Sequence, residues 1–351
     1  MKTKIRILMI ALAIGLTLTA CKKEEIEEEP VVVDEIENEV EPPKIDEVEE
    51  IIVKEGIPSP LSGIYGEEEK INRRPIAIMF DNHPRARWQS GLKDAEIVYE
   101  FLVEAPYTRY MGIYLMNDPE LIGPIRSARP YFVTTSLEYD GVYVHVGGSE
   151  QAFADIRNLG LADIDALSSS GKVFWRQSHK KAPNNMYSSM EILRSIQEER
   201  KYRMAGEYTP FKFKEDESYI DGLDANNIII NYRKNNITEY SYDLENKVYK
   251  RKKDGENHID EIDSIEIIAK NIIIQEANTR AIDNVGRLEI QLIGEGKGKY
   301  ITLGKIIDIK WFKDSKKGKT IYRDLNGEEI ILNPGITWIQ VVEPNTVIEI
   351  K

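Results

Sequence analysis

Pro75-Ile76-Ala77-Ile78-Met79-Phe80, followed at once by Asp81-Asn82-His83-Pro84, decides the fold class of this 351-residue chain. A sheet with one face in water alternates apolar and polar positions. An unbroken apolar run of strand length therefore predicts a strand covered on both faces. Strand patterns recur downstream at residues 95–103 (AEIVYEFLV), 110–116 (YMGIYLM) and 141–146 (GVYVHV). The last of these runs through Gly147-Gly148-Ser149 into a helical stretch, 151–157. Ser188 with Glu191, spaced as a capping box and followed by Ile192, Leu193 and Ile196, predicts another helix. Strands alternating with helices imply a mixed-sheet α/β domain over residues 70–210.

From 225 to 351 the pattern is strand-like, clearest in the alternation of residues 287–293 (RLEIQLI). Turn signals stand at Asp254-Gly255, Asn326-Gly327 and Asn333-Pro334-Gly335. Asn326-Gly327, between two apolar runs, predicts a type I′ hairpin, whose central positions both need positive φ. Gly294-Glu295-Gly296-Lys297-Gly298-Lys299 lacks the spacing and hydroxyl of a phosphate loop and reads as a flexible hairpin tip. The run 336–342 (ITWIQVV) reads as sheet core. The expectation is an α+β or α/β chain: a mixed-sheet N-terminal domain, then a mostly-β C-terminal domain resembling a barrel or sandwich.

The N-terminus carries a different signal. Lys2, Lys4 and Arg6 precede the apolar run Ile7 to Leu16, as in a secretory signal peptide spanning residues 1–20. The run is too short to cross a bilayer, which takes roughly twenty apolar residues. Leu18-Thr19-Ala20-Cys21 resembles the bacterial lipobox, whose cysteine is lipidated and becomes the first mature residue. Two acyl chains give stable anchoring where one is reversible. This places the body on the extracytoplasmic side of a bacterial cell membrane, attached through lipid on Cys21. Cys21 is the only cysteine, so its use by lipid leaves no disulfide, no thiolate nucleophile and no cysteine-ligated metal. Cofactors kept inside the cell, such as ATP and NAD, are not expected, and none is predicted.

The net charge of -13 becomes informative once divided. Residues 22–55 hold fifteen Asp and Glu against four Lys, so most of the acidity belongs to a segment, 21–56, that reads as a disordered linker. The rest of the chain past 55 carries only -5. Without clustered Lys and Arg it has no means of displacing counterions from nucleic acid.

Polar residues follow the ends of the predicted strands, where α/β sheets build sites: Asp81 with His83, Glu104 with Arg109, and His145 with Gly147, Gly148 and Ser149. Arg126 and Arg129, three apart, suit one face of a helical turn that clamps a carboxylate or phosphate. The competing reading pairs them internally with Asp81, Glu100 or Glu104. Asp81 and His83 fit an acid and a base, or ordinary turn chemistry. Gly147-Gly148-Ser149 fits an anion cradle or a helix cap with Ser149 as N-cap. His83, His145, His179 and His258 show no metal-ligand spacing, so no metal site is predicted.

Several phrases in one order carry a resemblance: Gln89-Ser90-Gly91-Leu92, Thr108-Arg109-Tyr110, residues 122–129 (IGPIRSAR), His145-Val146-Gly147-Gly148-Ser149 and residues 182–187 (APNNMY). With them the chain resembles the YerB-type bacterial lipoproteins over roughly residues 70–345. The resemblance implies an envelope lipoprotein with an N-terminal and a C-terminal family domain and no established activity to carry over. It adds Asn185 to the candidates. Where the family phrase has a His, this chain has Asn184.

Two functions remain open from the sequence. The favoured one is a non-catalytic binding or scaffold lipoprotein of the cell envelope, contacting an envelope protein or an anionic small molecule or polymer. The other is a hydrolase or transferase on envelope glycans or peptides, with His145 or His83 as base beside Asp81 or Glu104.

Overall fold

A computed structural model describes residues 54–351. The expected signal peptide, Cys21 and almost all of the expected acidic linker lie outside the described residues.

The opening run forms strand β1 (Ile76–Asp81), buried at every position, as are β2 (Ile97–Leu102) and β3 (Thr108–Tyr114). β3 lies antiparallel between β1 and β2. On its other side β1 pairs parallel with β4 (Val142–His145), which pairs parallel with β5 (Asp163–Asp165). Apart from a single turn at Glu68–Ile71 and two short 3-10 turns, the helices among the described residues are α1 (Pro130–Glu138), α2 (Glu150–Leu159) and α3 (Met190–Glu199). The C-terminal half supplies β6 (Leu223–Asp224), β7 (Asn227–Arg233), β8 (Asn236–Asp243), β9 (Val248–Lys253), β10 (Glu256–Asn257) and β11 (Ile268–Ala269). It continues with β12 (Asn271–Glu276), β13 (Gly294–Thr302), β14 (Lys305–Lys313), β15 (Ile321–Asp324), β16 (Thr337–Val342) and β17 (Val347–Ile350).

The two halves share a sheet. β16 inserts parallel between β2 and β12, with Thr337 opposite Ile97 on one side and opposite Asn271 on the other. One eleven-stranded sheet results, in the order β6-β14-β13-β12-β16-β2-β3-β1-β4-β5 with β15 on β14. β7 to β11 and β17 make a second, six-stranded antiparallel sheet.

The second sheet lies on one face of the first, where Ile228, Ile230 and Tyr240 join Ile78, Phe80, Val98 and Trp338 in one core. On the opposite face Met79, Phe101 and Met111 pack with Phe132 and Val133 of α1 and Ile156 of α2. Cover on both faces is why β1 reads as an apolar run up to its closing Asp81 and why β2, β3 and β16 are buried at every position, their few polar residues included. Each fully buried aliphatic or aromatic side chain contributes roughly 1.5–3 kcal/mol of transfer free energy. The C-terminal half is sandwich-like, with one of its layers continuing into the N-terminal half.

Three local expectations change. The N-cap of α3 is Ser189, which accepts from the Ile192 N–H, while the Ser188 hydroxyl donates to the Val173 carbonyl. The type I′ turn falls at Asp254-Gly255, where both φ values are positive (53° and 86°) and Lys253 faces Glu256; at Asn326-Gly327 only Gly327 has positive φ. Residues 294–299 are not a flexible tip but part of the long strand β13. A Cβ at Gly296 would sit 2.4 Å from Trp311 Nε1, so this glycine serves the close approach of an indole. Among the described residues no helix is long and apolar enough to cross a membrane.

Candidate functional site

β1, β2, β4 and β5 run in one direction, so their carboxyl ends share an edge of the sheet. Asp81 closes β1, Glu104 follows β2, His145 closes β4 and Asp165 closes β5. Arg109 enters from the start of antiparallel β3, directly opposite Asp81. This is the convergence that α/β strands produce at their carboxyl edge.

An extended segment, residues 122–129, crosses this edge. The Arg126 N–H donates to the Met79 carbonyl (3.0 Å), and the Val146 N–H donates to the Arg126 carbonyl (3.1 Å). Arg126 and Arg129 therefore share no helical turn, because α1 begins only at Pro130 and Arg129 precedes it in extended conformation. Glu104 takes the Arg129 Nε–H at 2.8 Å and lies 3.5 Å from Arg109 Nη2, and Arg109 also donates to the Ser127 carbonyl (2.9 Å). Burial and the neighbouring Arg129 pull the Arg109 guanidinium down to about 10, against the attraction of Glu104. Burial would raise the Glu104 carboxyl, but Arg109 and Arg129 outweigh it and hold it below the usual range. Two guanidinium groups and one carboxylate thus satisfy one another.

Arg126 differs. It meets Asp81 through Nε alone (3.3 Å), its side chain is 27% exposed, and its two terminal amino groups make no hydrogen bond among the described residues. Asp81 also accepts from the Asn184 amide (2.7 Å) and from the His83 N–H (3.0 Å). His83 is not paired through its ring with Asp81: Nδ1 accepts from the Arg85 N–H (3.1 Å) and the ring lies against Tyr107. Burial lowers the His83 imidazole, and Arg85, Arg126 and Arg87 work in the same direction against Asp81.

His145 is fully buried, with Nδ1 2.9 Å from the Gly147 carbonyl and Nε2 3.2 Å from the Asp163 carboxylate. Gly147 has φ +62°, a left-handed conformation that glycine adopts without penalty, and its N–H donates to Asp165 (2.7 Å). A Cβ at Gly148 would lie 3.1 Å from the Ala128 Cβ, so the glycine pair lets the 126–129 segment come close. Ser149 caps α2 by accepting from the Ala152 N–H (3.2 Å). Asn185 braces the loop before it, accepting from Arg176 (2.7 Å) and donating to the Gln177 and Lys180 carbonyls. His145, Gly147, Gly148, Ser149 and Asn185 thus hold the edge together through hydrogen bonds and close packing.

Residues that the sequence reading passed over complete the region. Glu261, from the C-terminal half, accepts from Ser90 (2.9 Å) and Tyr187 (2.7 Å) and pairs with Lys180 and His179. Gln89 links the Asp81 carbonyl to His258, which contacts Arg251 and so reaches Glu100. Glu261 lies in the aperiodic run Asp260-Glu261-Ile262-Asp263-Ser264, and its partners are 74 to 171 residues away, so no local pattern marks it. A cavity of about 740 Å³ lies beside this edge between α1, α2 and the hairpin Thr279–Ala281/Leu288–Ile290. Arg129 and Ser149 line an adjoining space of about 320 Å³.

Two family models match this chain: the N-terminal domain of a protein of unknown function, DUF3048, over residues 61–203, and its C-terminal domain over 228–339. The chain belongs to the DUF3048 family. A Bacillus subtilis (strain 168) protein named as a lipoprotein, YerB, is 35% identical over 288 residues, which is 81% of this chain and 86% of the relative. The crystal structure of the YerB protein from Bacillus subtilis matches with a TM-score of 0.75 at 35% identity, covering 84% of this chain and 99% of that one. The resemblance carried by the Gln89-Ser90-Gly91-Leu92 and 122–129 phrases is thus a family relationship. In this DUF3048 chain those phrases form the edge of the shared sheet and its crossing segment.

Proposed function

We propose that this DUF3048 protein is a lipid-anchored envelope protein, held through Cys21 on the extracytoplasmic side of the membrane, that binds an anionic partner at the carboxyl edge of its large sheet. The carrying observation is the contrast between the arginines. Arg109 and Arg129 are consumed by Glu104, whereas Arg126, at a partly exposed position, has two terminal amino groups without a hydrogen-bond partner among the described residues. A planar guanidinium with both terminal groups available suits a phosphate or carboxylate. The acids and bases that catalysis would require are engaged elsewhere: the His145 ring with Gly147 and Asp163, and Asp81 with Asn184, His83 and Arg126. This favours binding over turnover.

The test is retention of the full chain on an immobilised poly(glycerol phosphate) at rising salt. Arg126→Gln is expected to weaken retention about tenfold with the thermal midpoint held, and the wild-type interaction to fall with ionic strength. Equal retention of wild type and Arg126→Gln would overturn the assignment.

A further inference from the structure

We propose that the cavity of about 740 Å³ between α1, α2 and the Thr279–Ile290 hairpin binds a short, uncharged peptide segment with apolar side chains, at a site separate from Arg126. Its volume is that of a ligand pocket.

The charges on its walls balance in pairs. Lys316 lies 3.4 Å from Asp155, and Arg280 is paired with Glu289 across the hairpin, so the walls carry no net charge to select a charged group. What remains is apolar surface from Leu288, Ile290, Leu292 and Ile293, together with neutral hydrogen-bonding groups. Thr134 adds a hydroxyl to the lining. Gln151 donates to Asp155 (3.2 Å), which leaves its carbonyl free. The Asn278 side-chain amide donates to the Gln291 side-chain oxygen (3.4 Å), which leaves the Gln291 Nε2 amino group and the Asn278 Oδ1 oxygen, while the two backbones are joined by the Gln291 N–H and the Asn278 carbonyl (2.9 Å). Donors and acceptors without charge, interleaved with apolar side chains, are what a peptide backbone and its side chains require.

The hairpin strengthens the choice of a peptide. It is a two-stranded sheet of its own, so each strand has one edge without a neighbour, a template on which an extended segment adds as a strand. Near its tip Ile282 and Val285 are 52% and 68% exposed, apolar side chains at the rim available to a partner. A charged chain would lose its hydration here without gaining an ion pair.

The experiment titrates the full chain calorimetrically with an acetylated, amidated pentapeptide of Leu, Val, Ala and Gln. The comparison ligands are the same peptide with Glu or Lys at its centre, and chitotetraose, an uncharged N-acetylated glycan. The uncharged peptide is expected to bind, the charged versions at least tenfold more weakly and the glycan not at all. Leu288→Trp, which puts an indole into the cavity and narrows it, is expected to cut affinity at least tenfold, and Arg126→Gln to leave it unchanged. Gln291→Ala, at an exposed position, gives a second reading with an expected loss of about fivefold should Leu288→Trp fail to fold. Equal binding of the charged peptides, preference for the glycan, no peptide binding at millimolar concentration, or undiminished affinity in a folded Leu288→Trp or Gln291→Ala would each overturn the proposal. The Arg126 reading stands or falls on the polyanion alone.

Discussion

Replacing Glu100 by Gln tests whether the two halves are one cooperative body. Glu100 on β2 is fully buried, 2.5 Å from Arg251 and 3.4 Å from Lys253, both on β9 of the second sheet and both fully buried. It also accepts from Thr108 (2.7 Å) and Thr238 (3.2 Å). Arg251 lies over the Trp338 ring at 4.4 Å, between Tyr110 and Tyr240. Burial would raise the Glu100 carboxyl, but Lys253 and Arg251 prevail and lower it, so the carboxylate is the single anion facing two buried cations. Gln keeps the shape and removes the charge. Breaking a buried pair in this way costs about 3–5 kcal/mol, because the remaining charges stay desolvated. For a body of 298 residues that corresponds to a fall of roughly 5–8 °C in the thermal midpoint. Calorimetry should show one transition shifted downward as a whole, since the pair bridges the two halves. Burial pulls the Lys253 amine down to about 8. The loss should therefore shrink at pH 9, where that amine is free to shed its proton. A midpoint within 2 °C of wild type, or a shift confined to one of two separate transitions, would refute the reasoning.

Acid should weaken the same cluster. Burial and the cations Arg251, Arg87 and Lys253 hold the His258 imidazole well below its ordinary 6.5, and Glu100 is also lowered, so the unfolded chain takes up protons that the folded one refuses. Stability is therefore lost as pH falls, from about 6.5 downward for the imidazole at up to about 1.4 kcal/mol per pH unit while it stays neutral, with the carboxylate adding below about 4.5. Urea midpoints between pH 7.5 and 4.5 check this, and His258→Gln should flatten the upper part of that decline. Gly147→Ala should cost about 1–2 kcal/mol in chemical denaturation, since a Cβ at positive φ is strained and would lie 2.7 Å from Leu167. Gly296→Ala should displace Trp311 from its 2.8 Å hydrogen bond to the Glu276 carbonyl, costing about 1–3 kcal/mol and red-shifting tryptophan emission.

Much of the fold was legible because hydrophobic periodicity is local. Residues 75–80 read as a doubly covered strand and are one, and Ile336 to Val342 read as sheet core and hold its centre. A helix cap at Ser149 was one of the two readings open for Gly147-Gly148-Ser149, visible because capping acts over three residues, and Ser149 does accept from the Ala152 N–H. Where geometry depended on distant packing, the local signal misled. Gly296 reads as a tip until the indole of Trp311 is known to lie against it, and Asn326-Gly327 reads as type I′ until φ at Asn326 is known.

The candidate site divides in the same way. Composition and order picked out Asp81, Glu104, Arg109, Arg126 and Arg129, since polar groups after apolar strands are visible along the chain. Which arginine is free was not visible, because it depends on how far each guanidinium stands from one carboxylate. The sequence by itself determined where the strands lie, that the one cysteine stands in a lipobox-like phrase, and where the charge sits. Only the tertiary structure decided that β16 inserts beside β2, that Glu100 meets Arg251 across 151 positions, and that Arg126 alone of the three arginines keeps its terminal groups. The physical reason is that burial pattern and propensity act between near neighbours, whereas strand order, ion pairing and desolvation are settled by groups that the chain brings together only when it folds.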